Sequence, residues 1–307
     1  MSGASWDVVG IGENSVDVVY QLTAPLMPHG KMPVANRRTL PGGQVATTLC
    51  TCSALGLSSR YFGTFGDDDH AQLIRGALEA HGVDTHAALV RQAPNRHAVI
   101  LVDEGTGDRT VLWQRDPALA LRAADVPPDL LAGARLLHVD AIDEAASLAA
   151  ASAARSAGLH VTTDIDRVTE RTAALIAAAT LPILAEQVPA ALTGESDPER
   201  ALRALRQRHG GMLCVTLGAR GAMLLDGDRL HHVSGFSVNA IDTTGAGDVF
   251  RGALIYALLR GDPPDLMLRF ANAAAAVSCT RPGAIGGVPT LPEVEALERA
   301  EGGEGGS

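Results

Sequence analysis

Asp242-Thr243-Thr244-Gly245-Ala246-Gly247-Asp248 carries the strongest chemical signal in the chain. It separates an extended segment, His231 to Ile241, from an apolar helical run, Val249 to Leu259, and so reads as a loop that opens a helix. The first N–H groups of a helix lack internal partners and carry the positive end of its dipole. Glycines at 245 and 247 remove side chains that would keep a phosphate away from those amides. The amides of Gly245, Ala246, Gly247 and Asp248 therefore form a candidate anion hole. Asp248 is the odd member, because a carboxylate inside an anion cradle repels the anion. A reaction that needs a base beside a transferring phosphoryl group resolves the conflict: the base takes the proton of an attacking hydroxyl while the amides and a metal hold the developing charge. A capping role for Asp248 alone leaves both glycines and the upstream Asp242 unexplained.

The elements that must position this loop are readable in outline. Asp7 to Gly12 reads as a short buried first strand. Its GxG is not a dinucleotide fingerprint, since position 15 is Ser, position 31 is Lys and the chain runs on as strand-like Val16 to Tyr20. Val34 to Leu40 alternates into Pro41-Gly42-Gly43-Gln44-Val45-Ala46-Thr47, where a double glycine again precedes a helix, from about Ala46 to Leu55. Leu57 to Gly66 reads as the next strand. Asp67-Asp68-Asp69 could suggest a metal but fits better as acids favouring a helix N-terminus. His97 to Asp103 and Arg109 to Arg115 form a hairpin around Glu104 to Asp108. With apolar residues on both parities, that hairpin must be covered on both sides. Beyond Leu121, strands at Leu136 to Asp140, Leu159 to Asp164, Leu181 to Leu184 and Met212 to Leu217 alternate with helices such as Glu144 to Ala157. A hairpin follows through Ala222 to Val238. Alternation of this kind predicts a mainly parallel sheet covered on both faces, with ligands at the carboxyl ends of the strands, where Asp140, Asp164, Glu186 and Thr216 fall. The tail from Glu301 to Ser307 is too glycine-rich to pack.

Asp242 to Asp248, extended through Val249, Phe250, Arg251 and Gly252, resembles the C-terminal signature of the ribokinase (PfkB) family of carbohydrate kinases. Further stretches follow that family's order over nearly the whole chain. The resemblance implies an α/β, three-layer ribokinase-like fold, with a mainly parallel central sheet and a small β-sheet lid. The α/β part would comprise residues 1–13, 46–94 and 117–307, and the lid residues 14–45 and 95–116. It implies Asp248 as the base, and an Asp17 carboxylate on the sugar hydroxyls. Asn14, Gly42 and Gly43 would form the pocket wall. Gln44 and Thr47 stand where many ribose-specific members carry lysine and asparagine, which makes ribose doubtful; Arg109, Gln114 and Arg115 on the lid could compensate, as for an acidic or phosphorylated sugar. Thr216, Gly218 and Gly221 resemble the turn that holds ATP phosphates, Asn272 a residue lining the adenine pocket, and Arg251 is a further charge for the phosphate path. The family's Asn-x-x-Glu is here Ala185-Glu186-Gln187-Val188, so Mg²⁺ would be held through waters on Asp164 or Glu186, or mainly by the nucleotide. Asp242 would orient the loop or bind a monovalent cation such as K⁺.

The implied activity is ATP-dependent phosphorylation of a primary hydroxyl of a small sugar, a ketohexose such as fructose first, by a homodimer joined through its lids. A nucleoside kinase of the same fold is the rival, disfavoured because aromatic platforms for a base are scarce at 3% aromatic content. A sugar- or nucleotide-binding regulator that has lost catalysis is the second rival, and the intact DTTGAGD loop argues against it. Composition narrows the remaining classes. With 46% hydrophobic residues the 307-residue chain can bury a large core, and no apolar run is long enough to span a bilayer. No basic-then-apolar leader opens it, so a cytoplasmic location and no membrane partner are expected. A formal charge of -10 argues against nucleic acid. Cys50, Cys52, Cys214 and Cys279 form no CxxC pair and read as buried thiols.

Overall fold

The computed structural model describes residues 5–27, 29–103, 105 and 109–302, without the side chains of Arg109, Glu301 and Gly302. The hairpin turn expected at Glu104 to Asp108, Gly105 apart, and the end of the chain beyond Gly302 lie outside the described residues. Strand β1 (Trp6–Ile11) is followed by β2 (Ser15–Leu22), β3 (Val34–Gly42) and helix α1 (Gln44–Ala54). Next come β4 (Ser59–Phe62), β5 (Thr64–Phe65), α2 (Asp69–Ala80), β6 (Leu89–Val90), β7 (His97–Asp103) and β8 (Arg109–Gln114). The alternating stretch holds β9 (Ala134–Asp140), α3 (Glu144–Ser156), β10 (His160–Ile165), α4 (Thr172–Ala178), β11 (Leu181–Ala185), α5 (Gln187–Thr193) and α6 (Pro198–Arg206). It closes with β12 (Leu213–Thr216), β13 (Ala222–Asp226), β14 (Arg229–Val233), α7 (Ala246–Arg260), α8 (Pro264–Ser278) and α9 (Leu291–Gly302).

The large sheet has the order β14-β13-β12-β11-β10-β9-β1-β4, parallel from β4 to β12 with an antiparallel hairpin at the β14 edge. Its strands are apolar on both parities because both faces are covered. Val8, Leu136, Ile183, Cys214 and Leu224 pack with α1, α2, α7 and α8 on one side. Val9, Leu137, Leu184, Val215 and Leu225 pack with α3, α4 and α6 on the other. This gives the three layers of a ribokinase-like fold, and it aims the carboxyl ends of β1, β9, β10, β11 and β12 at one edge. Among the described residues no helix is long and apolar enough to cross a membrane.

A second sheet, β3-β2-β7-β8, stands over that edge, with β2 and β7 parallel and the outer pairs antiparallel. Val111, Leu112 and Trp113 are 52%, 58% and 65% exposed, so within the chain the β8 edge is bare on both faces and the chain itself does not supply the expected cover. Leu57 to Gly66 is also not one strand. It breaks between β4 and β5 at Gly63, where a Cβ would fall 2.2 Å from the Tyr61 hydroxyl. The Asp triplet resolves as a cap, with Asp68 accepting from the Ala71 N–H at 2.9 Å. Past His231 the chain leaves the β14 ladder at Val233 and runs to Ile241 without regular structure.

Candidate active site

The cleft between the lid and the large sheet is centred on the first turn of α7. Gly245 precedes that helix with φ of 77°, and a Cβ there would lie 2.5 Å from Ala284 Cβ and 2.6 Å from Ala284 Cα. Glycine is thus required by the 281–287 segment pressed against the loop, as well as by any anion. Asp242 ties the same two pieces together. Its Oδ1 accepts from the Thr244 N–H and hydroxyl at 2.9 and 2.7 Å, and its Oδ2 from the Gly283 N–H at 2.9 Å. Both oxygens are engaged by protein donors.

Asp248 is half-buried in the first turn of α7, while the Thr48 hydroxyl on α1 donates to its main-chain carbonyl at 3.1 Å. Burial, and then the neighbouring Asp164, hold the Asp248 carboxyl well above the usual carboxylate range. Asp164, 1% exposed near the end of β10, neighbours Asp248 and is pushed up to about 6 by burial, partly offset by Arg251. Arg251 lies beneath the loop rather than along an open phosphate path. It is 3% exposed, its Nη2 stands 2.6 Å from Asp164 Oδ1, and its Nη1 lies 2.8 Å from where a Gly247 Cβ would be. His138, beside this pair on β9, is pushed down to about 3 by burial and by Arg251, and so stays neutral.

On the nucleotide side a cavity of about 600 Å³ is lined by Thr216, Gly218, Gly221, Phe236, Phe250 and Asn272, among others. Ala246 and Gly247 form part of its wall, so the cavity opens directly on the loop. Gly221, with φ of 87°, is needed because a Cβ would sit 2.0 Å from the Val233 carbonyl; Gly218 faces open space. Asn272 is buried rather than solvent-facing, and its amide donates to the carbonyls of Val233 and Ser234 at 2.9 and 3.2 Å, pinning that wall.

A smaller groove of about 160 Å³ lies under the lid, lined by Glu13, Asp17, Arg96, His97, Trp113 and Arg115 among others. Asp17 is pushed up to about 6 by burial, then by Glu13 and Asp242, and Gly42 leaves room for it: a Cβ at 42 would lie 3.2 Å from Asp17 Oδ2. Gln44 begins α1 with a buried Oε1 that has no protein partner among the described residues. Several expected wall residues prove structural. Asn14 is fully buried, with its amide donating to the Tyr61 hydroxyl and the Thr64 carbonyl and its oxygen accepting from Asn95, so both of its N–H donors are spent on holding the wall. Gly43, φ 102°, is needed because a Cβ would lie 2.7 Å from Asn14 Cα. Thr47 is 0% exposed and lies in the packing beneath the groove.

Two of the lid arginines are already paired with carboxylates. Arg115 donates to Glu13 Oε1 from Nε at 3.0 Å and Nη2 at 2.7 Å, and the buried Arg96 is paired with Asp143 at 2.7 Å. The side chain of Arg109 lies outside the described residues; its backbone pairs with Val102. Sequence reasoning passed over Glu13 and Asp143 and gave Asp140 no more than a place at a strand end; its Oδ2 accepts from the Glu13 N–H at 2.6 Å. The only signal available was the position of Asp140 at a strand end. The carboxylates expected to hold magnesium through water each meet an arginine. Asp164 is paired with Arg251 and the exposed Glu186 with Arg220. Among the described residues no group of three or more His, Cys, Asp or Glu could hold a metal ion.

Known proteins place this geometry. The pfkB family carbohydrate kinase profile matches residues 7–291. Fructokinase-2 from Oryza sativa subsp. japonica is 29% identical, over 94% of this chain and 93% of its own. The structure of ribokinase from Thermotoga maritima superposes with a TM-score of 0.84 at 25% identity, covering 96% of this chain and 99% of that one. The Arabidopsis thaliana ribokinase complexed with ribose and ATP superposes with a TM-score of 0.85 at 24% identity, over 96% and 99%. A glycine loop at a helix N-terminus, a cavity on one side of it and a lidded polar groove on the other thus have relatives along the whole chain: it belongs to the pfkB family of carbohydrate kinases and is an ATP-dependent sugar kinase.

Proposed function

We propose that this kinase transfers the γ-phosphoryl group of ATP to a primary hydroxyl of a neutral ketohexose, fructose first, with Asp248 as general base and the Gly245 to Asp248 amides as anion hole. One observation carries the reading. Asp248 lies on the turn whose neighbours Ala246 and Gly247 wall the nucleotide cavity, while Asp17 and Glu13 line a groove sized for a small sugar. A hydroxyl held by Asp17 meets the base on one side of the loop and the phosphoryl group on the other. A neutral sugar is favoured over an acidic or phosphorylated one, because Arg96 and Arg115 are already neutralised by Asp143 and Glu13. Curated plant relatives named fructokinase support the same sugar. ATP would occupy the cavity with its phosphates toward Gly218, Gly247 and the α7 amides. Magnesium would enter on the nucleotide phosphates, neutralising charge that the anion hole shares. The exposed Val111, Leu112 and Trp113 suit burial against the lid of a second copy.

The test is ADP release from Mg-ATP across ketohexoses, aldopentoses, sugar acids, phosphosugars and nucleosides. Fructose should give the highest kcat/KM. Asp248→Asn should bind ATP normally and lose roughly 10² to 10⁴ in kcat. Retained turnover in the variant removes Asp248 from the role of base, and preference for a phosphosugar removes the neutral ketose.

A further inference from the structure

The reading of Asp248 as base leaves one pair of buried charges without a task. Arg251 follows Asp248 by one turn on α7, and its guanidinium folds back toward the helix N-terminus, the end whose dipole repels a cation. It is 3% exposed, its Nε has no partner among the described residues, and its charge is met by Asp164, itself 1% exposed. A buried ion pair contributes little net stability compared with apolar side chains of the same volume, and α7 is otherwise apolar around it. The pair also sits at the strand ends where a divalent metal would need carboxylates. There β11 ends in Ala185, Val188 is fully buried, Glu186 turns outward to Arg220, and Asp164 meets Arg251 through Oδ1.

We propose that Arg251 is a built-in cation of the phosphoryl site: anchored on Asp164, its guanidinium stands where the ends of β10 and β11 would otherwise hold a divalent metal, and it braces Asp248 and the anion loop from beneath. The kinetic part rests on the proposed role of Asp248; the metal part does not. Arg251 is a positioning residue, enclosed by Gly247 and Asp164, and it acts through the loop it supports. The divalent ion of the working site is then the one carried in by the nucleotide, and the protein alone has no affinity for it there.

The first measurement is Mn²⁺ binding without nucleotide, followed by electron paramagnetic resonance. The wild-type chain should bind none. Arg251→Gln should gain one Mn²⁺ on the carboxylates it exposes, and Arg251→Gln combined with Asp164→Asn should lose it again. In kinetics, Arg251→Gln should lower kcat by about 10²-fold with both KM values within about three-fold, and Arg251→Lys should recover most of the loss. If the single Gln variant does not fold, the double variant, neutral on both sides, still carries the test: normal KM values, kcat about 10²-fold down and no bound Mn²⁺. Nucleotide-independent Mn²⁺ binding by the wild type overturns the proposal. So does a folded double variant with wild-type kcat, or a Lys variant no better than Gln. If instead Asp248→Asn keeps its activity while the Mn²⁺ series behaves as stated, the base assignment has failed and the built-in cation stands.

Discussion

Two helices enter this site through glycines, and they do opposite work. At α1, Gly43 has φ of 102° because Asn14 and Glu13 press against it, and the turn that follows is closed: Thr47 is fully buried, and neither an acid nor a base stands in the first turn. At α7, Gly245 has φ of 77° because Ala284 presses against it, yet Gly247 beyond it is exposed, Asp248 follows in the first turn, and Arg251 and Asp164 lie below. The two loops look alike in sequence, each being two glycines at the start of an apolar helix. Their difference shows that a glycine-rich helix N-terminus is a binding element only where the structure leaves it open and supplies counter-charge. The α1 loop is a wall, and the α7 loop is the proposed working surface.

Substitutions can break that contrast in order of expected size. After Asp248→Asn, the largest effect belongs to Gly245→Ala. The added methyl meets Ala284 at a backbone angle that L residues avoid, so the loop must shift, and kcat should fall about 10²-fold with a smaller change in thermal midpoint. Gly43→Ala should do the reverse, losing roughly 1–3 kcal/mol of stability in denaturant titration while the surviving folded enzyme keeps its kcat. Equal kinetic damage at both positions would erase the distinction between wall and working surface.

Asp17 sharpens the comparison through pH. Its carboxyl is pushed up to about 6, so the ionised form that accepts sugar hydroxyl protons is lost as pH falls through that value, and the KM for sugar should rise below about pH 6 while the KM for ATP does not. The stability sign is opposite. A carboxyl with a raised folded pKa favours folding while protonated, below its unfolded value, and that contribution disappears as pH rises through about 6. Asp17→Asn should therefore raise the thermal midpoint at pH 7.5 and leave it nearly unchanged at pH 4, while weakening sugar binding. The smallest effect is Asp68→Ala, which removes the α2 cap and an acceptor for the Asn95 N–H at 3.1 Å. It should cost about 1 kcal/mol with no change in kcat or KM.

Much of this was legible in the chain. The boundaries of β7, β10 and α3 fell within a residue or two of expectation because apolar alternation and strand-helix punctuation are local properties. The anion loop was legible for the same reason: its glycines, its aspartates and the helix after it are contiguous. The sugar groove was read less well. Asn14 was read as pocket wall without the partners that fix it, because Tyr61, Thr64 and Asn95 come from distant positions to take its amide. Arg115 looked like a spare cation and is neutralised by Glu13, 102 positions away. No local pattern announces such a partner.

The sequence by itself determined that the chain would form a doubly covered parallel sheet and that a glycine-rich turn carrying Asp248 would open α7, since periodicity, glycine placement and helix dipoles act within a few residues. Tertiary structure alone decided which charges are free. Asp164, Glu13 and Asp143 each meet an arginine brought from elsewhere in the fold. An ionisable group buried in a medium of low polarity is defined by the few neighbours within a few ångströms, and the chain order of those neighbours carries no trace of that distance.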